Sequence, residues 1–118
     1  MSDTRIQEVV GEALSAVSFV HDYLELHFDG KVIRAFSPPT VISSGRAFSS
    51  DASGWRDALC DLIGRKVREV AIQAAPDARL LLRFLEGAEI EVGLSISGRV
   101  GPEALHYVPG DNQPIEVW

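Results

Sequence analysis

The chain has 118 residues, 46% of them hydrophobic and 24% charged, the length and balance of one globular domain able to bury a core. Its formal net charge of −6 argues against nucleic acid, whose phosphates call for a basic face, and against an anionic membrane surface. No apolar run reaches the length of a spanning helix, and the start, Met1-Ser2-Asp3-Thr4-Arg5, lacks the basic and apolar pattern of a secretory signal; a cytoplasmic location is expected.

In chain order, Ser2 or Asp3 is placed to cap a short helix over 4–10, with Ile6, Val9 and Val10 inward and Gly11 closing it. A strand follows over 14–20, with His21-Asp22 as its turn. Residues 23–28 alternate, Leu24, Leu26 and Phe28 on one face against Tyr23, Glu25 and His27 on the other, the mark of a half-solvated antiparallel strand. Asp29-Gly30 signals a tight hairpin, 31–36 returns, and Ser37-Pro38-Pro39 ends the strand. The stretch 38–53 is irregular, with a short edge strand over 40–42. Asp51 or Ser53 caps a second helix running to Ile63, with Trp55, Leu59, Leu62 and Ile63 as its inner stripe and Gly64 beyond it. Strands over 65–73, 79–85 and 88–96 follow, the last two joined at Glu86-Gly87. The tail, 98–118, breaks the pattern at 97–102, offers one helical turn over 103–107, a turn at 109–112 and a last strand over 115–118.

The order repeats. IQEVVGEALSAVSF (6–19) lies over LCDLIGRKVREVAI (59–72) without a gap, pairing Ile6 with Leu59, Gly11 with Gly64, Leu14 with Val67 and Phe19 with Ile72. LELHF (24–28) likewise parallels LLLRF (80–84). These patterns predict a single α+β domain: an antiparallel sheet of about six or seven strands, open or curled towards a barrel, with two short helices and an internal pseudo-twofold. The units are 3–37 and 54–97, separated by the loop 38–53.

Few residues suggest chemistry. Cys60 has no partner for a disulfide and reads as a small buried hydrophobe in a reducing cytoplasm. His21 with Asp22 reads as a turn, and His27 with Tyr23 and Glu25 as a solvated strand face. The most site-like group is Glu103, His106 and Tyr107, set in a segment outside the repeat. Arg46, with Ser44, Gly45, Ser49 and Ser50 about it, offers a cation and hydroxyls to an anion. Glu86, Glu89 and Glu91 gather acid around the second hairpin, suited to a basic partner. No nucleophile elbow, phosphate loop or cysteine pair for zinc is present, so no cofactor is expected and an enzyme is disfavoured. Leu81 and Leu85 make the outer face of that hairpin apolar, which calls for cover by the C-terminal segment or by a second copy in a homodimer.

The spacing Gly11, Leu14, Val17, Phe19, written again as Gly64, Val67, Val70, Ile72 and followed by LELHF or LLLRF and an acidic-glycine turn, resembles small bacterial cytosolic proteins, some of them immunity-protein-like. The resemblance spans most of 6–94. It implies a toxin-blocking binder that works by surface contact, and it carries over no functional residue. The expected function is therefore a small acidic protein–protein interaction module. The alternative is a small-ligand binder or minor enzyme built on Glu103, His106 and Tyr107.

Overall fold

The computed structural model describes residues 4–74, 77–95 and 103–118. The expected caps Ser2 and Asp3, the middle of the turn before residue 79, the end of the strand at residue 96 and the break at 97–102 lie outside the described residues. The fold is mostly β. Ten strands, β1 (Ala16–Val20), β2 (Tyr23–Phe28), β3 (Lys31–Ala35), β4 (Thr40–Ser43), β5 (Arg46–Phe48), β6 (Val67–Gln73), β7 (Arg79–Phe84), β8 (Glu89–Gly93), β9 (Leu105–Val108) and β10 (Glu116–Val117), accompany one α-helix, α1 (Trp55–Cys60). Two 3₁₀ turns, Ile6–Val9 and Leu85–Gly87, complete the regular structure among the described residues.

This corrects the expectation of one six- or seven-stranded sheet with two helices. The strands form two antiparallel sheets of five, ordered β1-β2-β3-β9-β10 and β5-β4-β8-β7-β6. Nor are there two self-contained helix–hairpin copies. Each sheet takes a three-stranded meander from one half of the chain and its last two strands from the other. The first helical segment has only four residues and tightens into a 3₁₀ turn, because so short a piece gains too few bonds to nucleate an α-helix. Thr4 Oγ1 accepts from the Ile6 N–H at 3.1 Å, while Arg5, at the N-cap position, makes no side-chain cap bond. Stretch 103–107 is extended rather than helical. Its alternation of buried Leu105 and Tyr107 with half-buried His106 and Val108 fits a period of two.

Where the two sheets part, residues 11–14 and 64–67 are joined by four main-chain bonds. Gly11 donates to Val67 O (2.8 Å), Gly64 to Leu14 O (2.7 Å), Leu14 to Arg65 O (3.0 Å) and Val67 to Glu12 O (3.0 Å). Gly11 and Gly64 turn the chain here at φ +89° and +97°, a region closed to most side chains. The internal repeat expected from the sequence is not supported: the two segments bond to each other here, and the strands beyond them are completed differently.

One core fills the space between the sheets. Leu24, Leu26, Phe28, Ile33, Leu105 and Tyr107 face Val41, Val70, Leu80, Leu82, Phe84 and Ile90, with Ile6, Trp55 and Leu59 closing the margins. Each such large side chain contributes about 1.5–3 kcal/mol on leaving water. α1 follows Gly54, at φ +90°, with no side-chain cap, so neither Asp51 nor Ser53 has that role. Of its expected stripe, Ile63 stays exposed, and Cys60 is exposed rather than buried. Among the described residues no helix is long and apolar enough to cross a membrane.

Candidate functional site: an aromatic cleft beside the β1 edge

An open cleft of about 280 Å³ lies at one end of the first sheet, between the β1–β2 turn, the end of β3 and α1. Four aromatic rings, Phe19, Tyr23, Phe36 and Trp55, line it. They come from four places, β1, β2, the residue after β3 and α1, and their positions follow from local structure. Phe19 is inward-facing by register with Leu24, but it sits near the end of an outer strand and is 39% exposed. Trp55 opens α1 and meets Phe19 edge-on, ring centres 5.8 Å apart. Its indole N–H is already given to Pro39 O at 2.8 Å, so the ring offers the cleft apolar surface only. Tyr23 and Phe36 pack at 5.5 Å. The guanidinium of Arg56 stands 5.3 Å from the Phe19 ring centre, and no ion pair involving it is found among the described residues. His21 and Asp22 form the exposed turn at the rim, 3.7 Å apart, as the sequence suggested.

Behind Tyr23 and Phe36, the outer face of the first sheet carries a polar chain that unites several of the expected candidates. Arg34 has only donors, so its Nη1 contact at 3.2 Å makes His106 Nδ1 the accepting nitrogen and turns the Nε2 hydrogen to Glu103 Oε1 at 2.6 Å. Arg34 Nε donates to Glu25 Oε2 at 3.0 Å, and the other oxygen of Glu25 lies 3.2 Å from His27 Nε2. Ser18 Oγ approaches that same nitrogen at 3.3 Å. A hydrolytic serine and its carboxylate must hold opposite nitrogens of the histidine, so this is not a nucleophile triad. Phe36 stacks edge-on against His106 at 4.7 Å, and Arg34 lies over Tyr23 at 5.3 Å, so the chain buttresses two walls of the cleft.

Tyr107 is separated from its neighbours. On a strand, adjacent side chains take opposite faces, and Tyr107 points into the core while His106 points out. Its hydroxyl donates to Glu8 Oε1 at 2.8 Å. Burial first, then this bond, raises the phenol well above its ordinary range. Arg5 completes the cluster by donating to Glu8 at 2.8 Å and Asp111 at 2.9 Å, while the Arg5 main-chain N–H donates to Glu116. The Tyr107 hydroxyl, followed by Arg5, holds Glu8 below the ordinary carboxylate range, and Arg5 does the same for Asp111. Because both folded values are depressed, their contribution is complete above the ordinary carboxylate range and is lost as pH falls through the folded values. Acidification below about pH 4 is therefore expected to release residues 4–9 from 111–116 before the sheets unfold. Amide NMR signals of those segments moving no earlier than those of β7 and β8 would contradict this.

The other expected candidates lie elsewhere. Arg46 sits exposed on β5 in the second sheet, over the Phe48 ring at 4.8 Å, far from the tail in sheet order. Ser44 and Gly45 are the positive-φ turn that joins β4 to β5. Glu89 and Glu91 are not free acid. Arg83 bridges Glu89 (2.9 Å) and Glu69 (3.1 Å), and Arg79 bridges Glu91 (2.9 Å) and Gln73 (2.9 Å). Burial, with Glu89 beside it, pushes Glu91 up; burial also works against Glu89, but its bonds to Glu91 and Arg83 hold it below the ordinary range. Glu86 stands exposed in the turn after β7, at φ +74°. Leu81, only 2% exposed, lies between Arg79 and Arg83 on one face and opposite Ala71 and Glu91, so the arginine stems cover it within its own chain. Leu85 remains exposed. Of the apolar face expected to be covered by the C-terminal segment or a second copy, Leu85 alone of the two leucines is thus left open.

Among the described residues no three of His, Cys, Asp and Glu stand together as a metal-binding group. No family model, curated protein or solved structure matches the chain, and the geometry of its own residues is what points to a function.

Proposed function

We propose that the chain is a protein–protein interaction module that receives an apolar side chain of its partner in the cleft between Phe19, Tyr23, Phe36 and Trp55. The observation that carries this reading is the composition of the cleft: four aromatic rings and an accessible arginine around one concavity. Aromatic side chains and arginine are the residues that dominate the energetics of protein interfaces. The titratable groups at the rim, His21, Asp22 and Arg56, do not form a nucleophile–base pair, which favours binding over catalysis. This is the class that the expected immunity-protein-like resemblance implies. An exposed, unpaired Cys60 suits a reducing compartment and supports a cytoplasmic setting.

Selection of short random peptides on the immobilised protein is expected to enrich sequences with a large apolar residue. Phe19→Ser, at a half-open position, should leave the fold intact by circular dichroism and weaken the enriched peptides about tenfold or more. Enriched peptides that bind the variant as tightly as the parent would sink the cleft as the contact site.

A further inference from the structure

Four strands lie at sheet edges, and three of them are guarded. β10 has two residues and β5 three, the latter carrying Arg46. β6 is long, but its register slips between Val67 and Glu69, it carries exposed Arg68 and Glu69, and the side chain of Gln7 donates to its Val70 carbonyl at 2.9 Å. Short length, bulges and charges are the usual devices that keep an edge from pairing.

β1 has none of them. Its sequence, Ala16-Val17-Ser18-Phe19-Val20, holds no charge and no proline, and it pairs with β2 in register along all five residues. Among the described residues, no hydrogen bond reaches its main chain from any element other than β2. α1 meets it at the Phe19 ring, through Trp55 and Arg56. The open edge and the cleft meet at Phe19 and Val20, which belong to both.

We infer, building on the binding role proposed above, that the partner enters as an added β-strand: an extended segment of another protein pairs along β1 and becomes the sixth strand of the first sheet. Strand pairing makes the segment alternate. Side chains on the Val17 and Phe19 face meet apolar surface, and the one beside Phe19 enters the cleft next to Trp55. Those on the other face pass Ser18 and lie outside Glu25 and His27, where polar groups are accommodated. The segment comes from another protein rather than from a second copy, because two chains of −6 repel each other, whereas a neutral or basic segment meets no such penalty.

The test uses the full chain and the peptides enriched as described above, resynthesised with N-methyl groups on alternate residues in each of the two registers. N-methylation removes the peptide's ladder donors and leaves its side chains in place. One register should lose about tenfold or more in affinity and the other little, since only one row of amides faces β1. Binding should also slow hydrogen exchange of amides in 16–20 and leave β5, β6 and β10 unchanged. Peptides that lose affinity to Phe19→Ser yet ignore N-methylation in both registers and leave 16–20 unprotected would overturn strand addition while the cleft reading stands. Peptides that protect 16–20 but are indifferent to Phe19→Ser would sink the cleft and keep the strand. A peptide-free dimer by light scattering, with 16–20 protected in it, would make a second copy the occupant and overturn the inference.

Discussion

Replacing Tyr107 with alanine is expected to lower the stability of the fold by about 3–5 kcal/mol, whereas His106→Ala and Glu103→Ala, one and four positions away, change it by no more than about 1 kcal/mol. The contrast follows from the pleat. Tyr107 is fully buried at the centre of β9, paired with Ile33 on one side and Glu116 on the other, and its ring is among the largest side chains wholly inside the core. Truncation opens a cavity between the sheets and strips Glu8 of its hydroxyl partner. Tyr107→Phe keeps the ring and removes only the bond, for which about 1–2 kcal/mol is expected. His106 and Glu103 meet on the outer face, where water replaces either partner. Urea titrations give the ranking directly, provided the slope is common to all variants. A loss at His106 as large as that at Tyr107 would mean that the outer polar chain, not the core ring, holds β9 in place.

Among the described glycines, Gly110→Ala should be the most damaging substitution, at about 3 kcal/mol, with Gly30→Ala costing only about 1–2 kcal/mol. Both residues have positive φ, +84° and +98°, so each loses the same conformational ease when given a side chain. They differ in what a Cβ would touch. At Gly30 it meets nothing within 4 Å. At Gly110 it would stand 2.1 Å from the carbonyl oxygen of Gly30, and that oxygen belongs to a hairpin turn fixed by five register pairs between β2 and β3. Neither backbone can yield without shifting β9 against β3. Melting temperatures of the two variants decide the point, and equal depression would show that the two turns do not press on each other.

The sequence was readable wherever partners are near neighbours. The alternation of 23–28, the Asp29-Gly30 turn and the return over 31–36 give β2 and β3 almost to the residue, since hairpin chemistry is local. The inner stripe of α1 was legible as far as Leu62. What escaped was pairing at a distance. Nothing in 31–35 announces β9 as a neighbour, although Arg34 and His106 are 72 residues apart in the chain and touch in the fold. The strand over 40–42 was legible as β4, but its place inside the sheet and its partner β5 were not, because serine and glycine around Ser44-Gly45 look like an irregular loop. The stretch 103–107 was given to one helical turn because five residues are too few to fix a period. The cleft was invisible for a related reason: Phe19, Tyr23, Phe36 and Trp55 each look like ordinary strand or helix filler, and only the meeting of four segments makes them a surface. Of the expected site residues, Glu103 and His106 meet, whereas Tyr107 reaches Glu8 on the opposite face, because neighbours along a strand alternate.

The exchange of strands between the two halves also fixes when the protein becomes stable during folding. The meander β1-β2-β3 can form early from local turns, yet its inner face stays open until β9 and β10 arrive from the far end of the chain. The meander β6-β7-β8 in turn needs β4 and β5, which come before it. Neither half can seal its apolar face alone, and closing such long loops costs entropy before any burial rewards it. The chain must therefore commit both halves together, in one slow cooperative step of the millisecond-to-second kind that nonlocal β folds show. During synthesis, β1 to β8 stay incompletely sealed until the last strands have emerged.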